Sequence, residues 1–269
     1  QDIVNKETGE IEQDITIADF QFLANHIADP STHPLPTYLN NWWTQLGQDI
    51  DGETAYDNSG ASVSLSSDGN TVAIGAYLND DNGGNSGHVR IYTYDGSSWS
   101  QLGQDIDGEA ADDLFGVSVS LSSDGMTLAI GAKRNDGNAY NAGHVRIYKW
   151  DNISESWIIR GLNLIGEFSG DNMGRGLALS ADGNIIAVGG HESDETGNDN
   201  KGKVIIYNWN GTIWEIKDTI YGENSGEKFG TAVDSVSYTH LRAHETKANL
   251  GWRVVGGKKK GGGGGGGGG

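Results

Sequence analysis

Cysteine is absent from this sequence, proline occurs only 3 times, and no long apolar run is present. Without cysteine there can be no disulfide framework and no thiolate metal site. No segment approaches the roughly 18–20 apolar residues of a membrane-spanning helix, so membrane insertion is not expected. Glycine, in contrast, accounts for 43 of the 269 residues. Many glycines with few prolines favour numerous tight turns over proline-rich disorder.

Basic side chains are also scarce. The chain has 18 Lys and Arg against 37 Asp and Glu, which gives a net charge of −19. Such a surface repels the phosphates of nucleic acids and anionic membranes, so neither is an expected partner. The remaining possibilities are a basic partner, cations, or acidity that serves solubility alone.

A nine-residue stretch, QLGQDIDGE, occurs at residues 45–53 and again at residues 101–109. Aligning the chain with itself at this spacing yields three full units and the beginning of a fourth. The units span residues 43–98, 99–156, 157–213 and 214–235. Repeats of this length are typical of solenoids, propellers and arrays.

Each unit contains four short strand candidates. In the first unit they span residues 61–67, 71–76, 88–94 and 99–106, and they show the alternation of apolar and polar residues typical of strands. Asp68-Gly69 predicts a tight hairpin between the first two. Four antiparallel strands per repeat are typical of propeller blades, whose faces cover one another. We therefore predict an all-β fold, an incomplete β-propeller of four-stranded antiparallel blades.

Short motifs recur at matching positions of the units. The first is Phe-Gly, at Phe115-Gly116 and Phe229-Gly230, with degenerate versions at Ser59-Gly60 and Met173-Gly174. The second is Ile-Gly-Ala, at residues 74–76 and 130–132, with Val-Gly-Gly at 188–190. The third is a strand motif at residues 87–92, 143–148 and 202–207. As a set they resemble FG-GAP repeats, the blades of integrin-α-like propellers and of bacterial surface proteins, in the bacterial hairpin-type version. The resemblance covers residues 41–235. It implies a propeller, often seven-bladed, that serves binding or adhesion.

The two ends of the chain lie outside the repeats. Residues 1–40 include a possible amphipathic helix with Phe20, Leu23 and Ile27 on one face, and a proline-containing linker follows it. Residues 236–269 begin with a stretch that resembles a translated sequencing-library adapter and end in nine glycines. We expect this tail to be non-biological and disordered, the alternative being a genuine basic, glycine-rich flexible tail.

Strand alternation places the loops after the second and fourth strands at one end of every blade. This end receives a set of acids: Glu53, Asp57, Asp80, Asp81, Glu109, Asp112, Asp113, Asp136, Glu167, Asp171, Asp194 and Asp199. The accompanying cations are Lys133, Arg134 and Lys201. One end of the propeller is therefore predicted to be strongly acidic, either for ligand capture or for solubility alone.

Two acidic positions recur in every unit. One follows a glycine (Glu53, Glu109, Glu167 and Glu223), and the other lies three residues before the next glycine (Asp57, Asp113, Asp171 and Glu227). A carboxylate can accept hydrogen bonds from loop N–H groups and thereby fix a turn, which is the favoured interpretation. Direct contact with a ligand is the alternative.

The sequence predicts no cofactor, with calcium as the alternative. Asp80, Asp136 and Asp194 recur in oxygen-rich loops and are candidate Ca²⁺ ligands. The hairpins after the first strands carry a single carboxylate each, where the integrin-type repeat has several, so we expect those hairpins to be metal-free.

No catalytic constellation is apparent. His88 and His144 occupy equivalent strand positions, but the third unit has Lys203 there, which favours packing over catalysis. The strand serines lack a partnered His and Asp at recognisable spacing. The recurrent Trp43, Trp99, Trp157 and Trp214 favour packing, with sugar stacking as the alternative.

The predicted function is a non-enzymatic binding or adhesion module of a secreted or cell-surface protein. Its acidic loop end would face an unknown protein or glycan ligand. The alternative is a propeller scaffold of a larger secreted enzyme whose catalytic part lies outside this sequence.

Overall fold

The computed structural model describes residues 3–4, 11–12, 44–192, 200–236, 240–244 and 253–255. The expectations for residues 13–43, including the amphipathic helix and Trp43, fall outside the described residues. The chain divides into two units, Gln1–Leu46 and Gly47–Gly269. In the first, β1 (Ile3–Val4) pairs antiparallel with β2 (Ile11–Glu12). Within the described residues, no helix has the length and apolar character that crossing a bilayer would require.

The described residues of the larger part, Gly47–Gly269, form four sheets. Its strands are β3 (Ser62–Leu65), β4 (Thr71–Ala76), β5 (His88–Tyr94), β6 (Trp99–Gln101), β7 (Ile106–Asp107), β8 (Phe115–Leu121), β9 (Thr127–Ala132), β10 (His144–Asp151), β11 (Ser156–Ile159), β12 (Leu164–Ile165), β13 (Met173–Leu179), β14 (Ile185–Gly190), β15 (Lys203–Trp209), β16 (Trp214–Tyr221), β17 (Ala232–Val236), β18 (His240–His244) and β19 (Arg253–Val255).

Three of these sheets have the same antiparallel order. The first runs β3-β4-β5-β6, the second β8-β9-β10-β11 and the third β13-β14-β15-β16. In the first two, a further short strand, β7 or β12, continues the outer strand and pairs with β5 or β10. The prediction of an all-β, incomplete propeller of four-stranded blades is confirmed.

The repeat units and the sheets are out of phase. The strand that begins at Trp99 pairs with β5, so the boundary between residues 98 and 99 separates the third and fourth strands of one blade. The fourth strand was predicted as one segment, residues 99–106, but the structure interrupts it. Gly103, with φ of 80°, turns the backbone between β6 and β7.

Apolar side chains fill the space between neighbouring sheets. Ile91 of the first sheet packs in one cluster with Phe115, Leu128 and Ile130 of the second, and all four are fully buried. A second cluster joins the second sheet to the third. Complete burial of such a side chain contributes about 1.5–3 kcal/mol. Each sheet is therefore stable because its neighbour covers it.

The recurrent glycines let adjacent blades approach through their backbones. Gly116 has φ of 85°, a conformation that side chains other than glycine rarely adopt. A methyl group on Gly75 of the preceding blade would overlap the carbonyl oxygen of Gly116. The two motif glycines therefore contact each other through their backbones. The same contact recurs between Gly131 and Gly174.

The serines of the first strands bridge neighbouring blades, a role that the sequence analysis missed. Ser62 Oγ donates to the carbonyl oxygen of Gly116 (2.7 Å), and Ser118 Oγ donates to that of Gly174 (2.6 Å). Ser64 Oγ accepts a hydrogen bond from the backbone N–H of Leu121 (2.9 Å). These hydroxyls tie the innermost strands of consecutive blades together.

The fourth sheet has the order β17-β18-β19. Its strands β18 and β19 lie in the tail that was expected to be disordered, so the structure differs from that expectation at these residues. β18 follows β17 closely and pairs with it antiparallel, as an extended segment can do at the edge of a strand. The adapter origin of residues 236–269 stays a prediction.

Candidate functional site

Within each of the first two blades, two loops are hydrogen-bonded to each other at the end of the sheets that was predicted to be acidic. The loop between β4 and β5 reaches the exit of the outer strand, where Asn82 Nδ2 donates to the carbonyl oxygen of Gly108 (2.7 Å). The same bond recurs one blade later from Asn138 to Gly166 (3.0 Å). We call the surface formed by the loops after the second and fourth strands the acidic end. The two hydrogen bonds anchor these loops to each other.

Some of the recurrent acids at this end are buried. Asp57, Asp113 and Asp171 are 5%, 3% and 2% exposed. Asp113 Oδ2 accepts hydrogen bonds from Asn135 Nδ2 (2.8 Å) and from the backbone N–H of Ala110 (3.2 Å). Burial raises the pKa of the Asp113 carboxyl, and the hydrogen bond from Asn135 opposes that shift.

The predicted turn-fixing role is confirmed for Asp171 and Glu227. Asp171 Oδ2 accepts the N–H groups of Glu167 (3.0 Å) and Phe168 (3.1 Å). In the next loop, Glu227 Oε2 accepts the N–H of Glu223 (2.8 Å). Each carboxylate closes the loop that leads into the following blade.

Two buried asparagines were missed by sequence reasoning. Asn79 Nδ2 donates to Asp57 Oδ2 (3.0 Å), and Asn135 makes the equivalent bond to Asp113. Their side-chain oxygens accept the backbone N–H groups of Asp81 (3.0 Å) and of Gly137 (2.9 Å). The signal was present in the sequence, since Asn-Asp follows the same strand in two units.

The other recurrent acid forms ion pairs with strand residues that were also missed. Glu53 Oε1 lies 3.4 Å from Arg90 Nη1, and Glu109 pairs with Arg146, the equivalent arginine of the second blade. Ile205 occupies this position in the third blade, where the arginine is absent. Glu53 and Glu109 are therefore partly neutralised, and the acidic end is less uniformly negative than the residue types imply.

The strand histidines are buried, as their interpretation as packing residues requires. His88 is 1% and His144 is 2% exposed. The ring of His144 packs edge-on against Phe115, and burial lowers its pKa to about 4. In the third blade, Lys203 Nζ lies 3.4 Å from the buried Asp171 Oδ2.

The surroundings of His88 differ from those of His144. His88 Nδ1 has no hydrogen-bond partner, and its nearest acidic atoms are Glu53 Oε2 at 3.7 Å and Asp81 Oδ2 at 4.0 Å. Asp107 lies across the strand pair from His88. Burial raises the pKa of Asp107, and the nearby charge of His88 opposes the shift. A buried polar atom without a partner costs about 1–3 kcal/mol.

The calcium candidates are placed at exposed turns. Asp80 Oδ1 accepts the backbone N–H of Asn85 (2.7 Å), and Asp136 Oδ1 accepts that of Asn141 (2.6 Å). Both carboxylates thus close their loops, while Asp194 and Asp199 lie outside the described residues. Calcium binding at these positions stays a prediction.

The recurrent tryptophans pack between outer strands. Trp157 and Trp214 are buried, and each lies against a second tryptophan, Trp150 or Trp209. The indole N–H of Trp157 donates to the carbonyl oxygen of Leu102 in the preceding blade (2.9 Å). The packing interpretation is confirmed for these residues.

Among the described residues of Gly47–Gly269, two open cavities bear on the site. One, of 310 Å³, lies at the acidic end beside the first blade, and its lining includes the exposed Tyr56, Asp80 and Asp81. The other cavity has a volume of 400 Å³. Residues in or just before the first strand of each of the four sheets line it, together with residues that follow β4 and β9. The lining residues are Ala61, Tyr77, Val117, Lys133, Arg175 and Thr231. Burial and the nearby Arg175 lower the pKa of Lys133.

The fold and these contacts define a β-propeller-type binding or scaffold module. The sequence profile of the FG-GAP repeat family matches residues 50–92 and 106–148, so the chain carries FG-GAP repeats, as its motifs predicted. The third sheet repeats the same strand order outside the matched residues.

The comparisons with whole proteins add little detail. No curated protein matches this sequence. Among solved structures, Kuenenia stuttgartiensis Hydrazine Synthase is similar, with 15% sequence identity and a TM-score of 0.42 over 74% of this chain and 45% of that chain. This chain thus spans less than half the length of that protein.

Proposed function

We propose that this chain is a non-enzymatic binding module whose acidic end captures a basic segment of a protein partner. The observation that carries this proposal is the 310 Å³ cavity beside the first blade. Tyr56 lines it and is 91% exposed, and the exposed Asp80 and Asp81 line the same cavity. An exposed aromatic ring among carboxylates suits a ligand with Lys or Arg side chains, through cation–π and ionic contacts.

Preorganisation supports the same proposal. Asp80 accepts the N–H of Asn85, while Asn79 holds both Asp81 and the buried Asp57. Tyr56 itself has a φ of 78°, which a tyrosine rarely adopts unless its surroundings require it. A loop already held in one conformation loses little entropy when a ligand binds.

The polar strand residues support a binding role over a catalytic one, because they already have structural roles. Ser62 and Ser118 are used in bonds between blades, and the buried His144 stays neutral at physiological pH because burial lowers its pKa. The proposed location is extracellular or at the cell surface, in keeping with the secreted proteins in which FG-GAP repeats are typical. Fractionation of the native host would test that location.

Binding can be measured by calorimetry with Lys- and Arg-rich peptides and with charge-reversed peptides of the same length. We expect binding of the basic set only, weakening as salt rises. Tyr56→Ala and the double variant Asp80→Asn/Asp81→Asn should each weaken it at least fivefold. Tyr140→Ala, which removes another exposed tyrosine outside the cavity, should not. Equal binding of both peptide sets, or equal losses in Y56A and Y140A, would contradict the proposal.

A further inference from the structure

The environment of His88 in the first blade is unlike that of any equivalent position in the described residues. The ligand atoms of Glu53, His88 and Asp105 all lie within 4.8 Å of one another. Asp81 adds a carboxylate oxygen 4.0 Å from His88 Nδ1. We propose that these side chains form a binding site for a divalent transition-metal ion such as Zn²⁺.

The imidazole is the first reason. His88 is 1% exposed, and its Nδ1 faces Glu53 Oε2 at 3.7 Å without a hydrogen-bond partner. That separation is too long for a hydrogen bond. It suits two ligands of one ion, because atoms that each lie about 2.1 Å from a metal are at most about 4.2 Å apart. Asp81 Oδ2, which also accepts a hydrogen bond from Asn79 Nδ2 (3.2 Å), meets the same limit with respect to His88 Nδ1.

The arrangement of Glu53 is the second reason. Its Oε1 lies 3.4 Å from Arg90 Nη1, which leaves Oε2 on the side of His88. Arg90 Nη2 in turn donates to the carbonyl oxygen of Asp51 (2.9 Å). The carboxylate is therefore oriented by a fixed neighbour, as metal-ligating carboxylates commonly are.

The neighbouring blades supply internal comparisons. In the second blade, His144 holds the same strand position and Glu109 pairs with Arg146, as Glu53 does with Arg90. Gly137 and Asn163, however, replace Asp81 and Asp105 there. In the third blade, Lys203 holds this position and brings its own ammonium group to Asp171. Among the blades that the structure describes, only the first brings a buried imidazole together with several carboxylates, and an external cation could bridge these groups.

The donor set selects the class of metal. One imidazole nitrogen and two or three carboxylate oxygens suit Zn²⁺, Mn²⁺, Fe²⁺ or Co²⁺, whereas Ca²⁺ and Mg²⁺ prefer oxygen ligands alone. This distinguishes the site from the calcium candidates Asp80 and Asp136, which present carboxylates without an imidazole.

The test is calorimetric titration of the full chain with Zn²⁺ and, separately, with Ca²⁺ at equal ionic strength. We expect one Zn²⁺ site that is lost in His88→Gln and weakened at least tenfold in Glu53→Gln and in Asp105→Asn. His144→Gln and Asp136→Asn should bind as the parent does, within twofold. Since Glu53 is exposed and Asp105 is half-buried, their variants keep the site testable if H88Q fails to fold.

Cobalt provides a second readout that a purely structural role of His88 would not affect. Co²⁺ should show visible absorption bands of a nitrogen- and oxygen-ligated ion, and these should disappear in E53Q. Zn²⁺ affinity that is unchanged in E53Q and D105N would overturn the proposal, as would Ca²⁺ binding of equal strength.

Discussion

Gln104 and the backbone of Trp157 form a reciprocal pair of hydrogen bonds across two blades. The N–H of Trp157 donates to Gln104 Oε1 (3.3 Å), and Gln104 Nε2 donates to the carbonyl oxygen of Trp157 (3.2 Å). Gln48 makes the same pair with Trp99 one blade earlier. This contact gives a physical reason for the repetition of QLGQDIDGE, because its second glutamine joins one outer strand to the next.

Replacing Gln104 with Ala should therefore weaken the fold. Both bonds are lost at the partly buried rim, and we expect the free energy of unfolding to fall by about 1–2 kcal/mol. Urea denaturation followed by tryptophan fluorescence measures this. Ser100→Ala, at an exposed position of the same outer strand, is the control and should change stability by less than about 0.5 kcal/mol. Equal effects of the two substitutions would contradict the role of Gln104.

The bond from Ser118 to Gly174 offers a second test at the inner strands. Ser118→Ala removes this bond between blades and should lower the free energy of unfolding by about 1 kcal/mol. Ser123 is the matched control, because it connects blades through its backbone: its N–H donates to the carbonyl oxygen of Ala181 (2.9 Å). Ser123→Ala should be neutral in thermal melts, and a loss equal to that of S118A would contradict the assignment.

Asp113 should tolerate loss of charge better than loss of its oxygens. Asp113→Ala leaves the buried Asn135 side chain without its acceptor and should cost about 2–3 kcal/mol. Asp113→Asn keeps an acceptor and removes a charge whose burial raises the carboxyl pKa, so we expect a cost below about 1 kcal/mol at neutral pH. Chemical denaturation of both variants at pH 7 distinguishes these outcomes, and equal losses would show that the charge itself is required.

His144 predicts a pH dependence of stability. Its pKa is about 4 in the folded chain against an ordinary value of 6.5, so the unfolded chain binds a proton first as pH falls. Its favourable contribution is complete above pH 6.5 and is lost as pH falls towards 4, by up to about 3 kcal/mol. His144→Gln should flatten this part of the stability curve, measured by urea denaturation between pH 4 and 7. A slope that the substitution leaves unchanged would contradict the prediction.

Local sequence patterns predicted the blade strands closely, because these strands are specified by the alternation of apolar and polar residues and by the turn residues between them. The segments 71–76 and 88–94 were predicted with the bounds that the structure has. The outer strand was predicted less well, since the break at Gly103 depends on a backbone turn against the tryptophans of the neighbouring blade. The turn-fixing acids were also found from sequence, because their bonds stay within one loop.

The sequence by itself determined the repeat, the strand order within each blade and the excess of acids at one end, since these follow from spacing and side-chain type. Only the tertiary structure decided which acids are buried, which are paired and which face an imidazole. Asp105 and Glu53 lie 52 positions apart, and both meet His88 only when one outer strand and the segment that precedes the blade converge on its third strand, β5. Such contacts depend on how closely segments that are distant in sequence approach each other in space. No local sequence pattern predicts the distance between those segments.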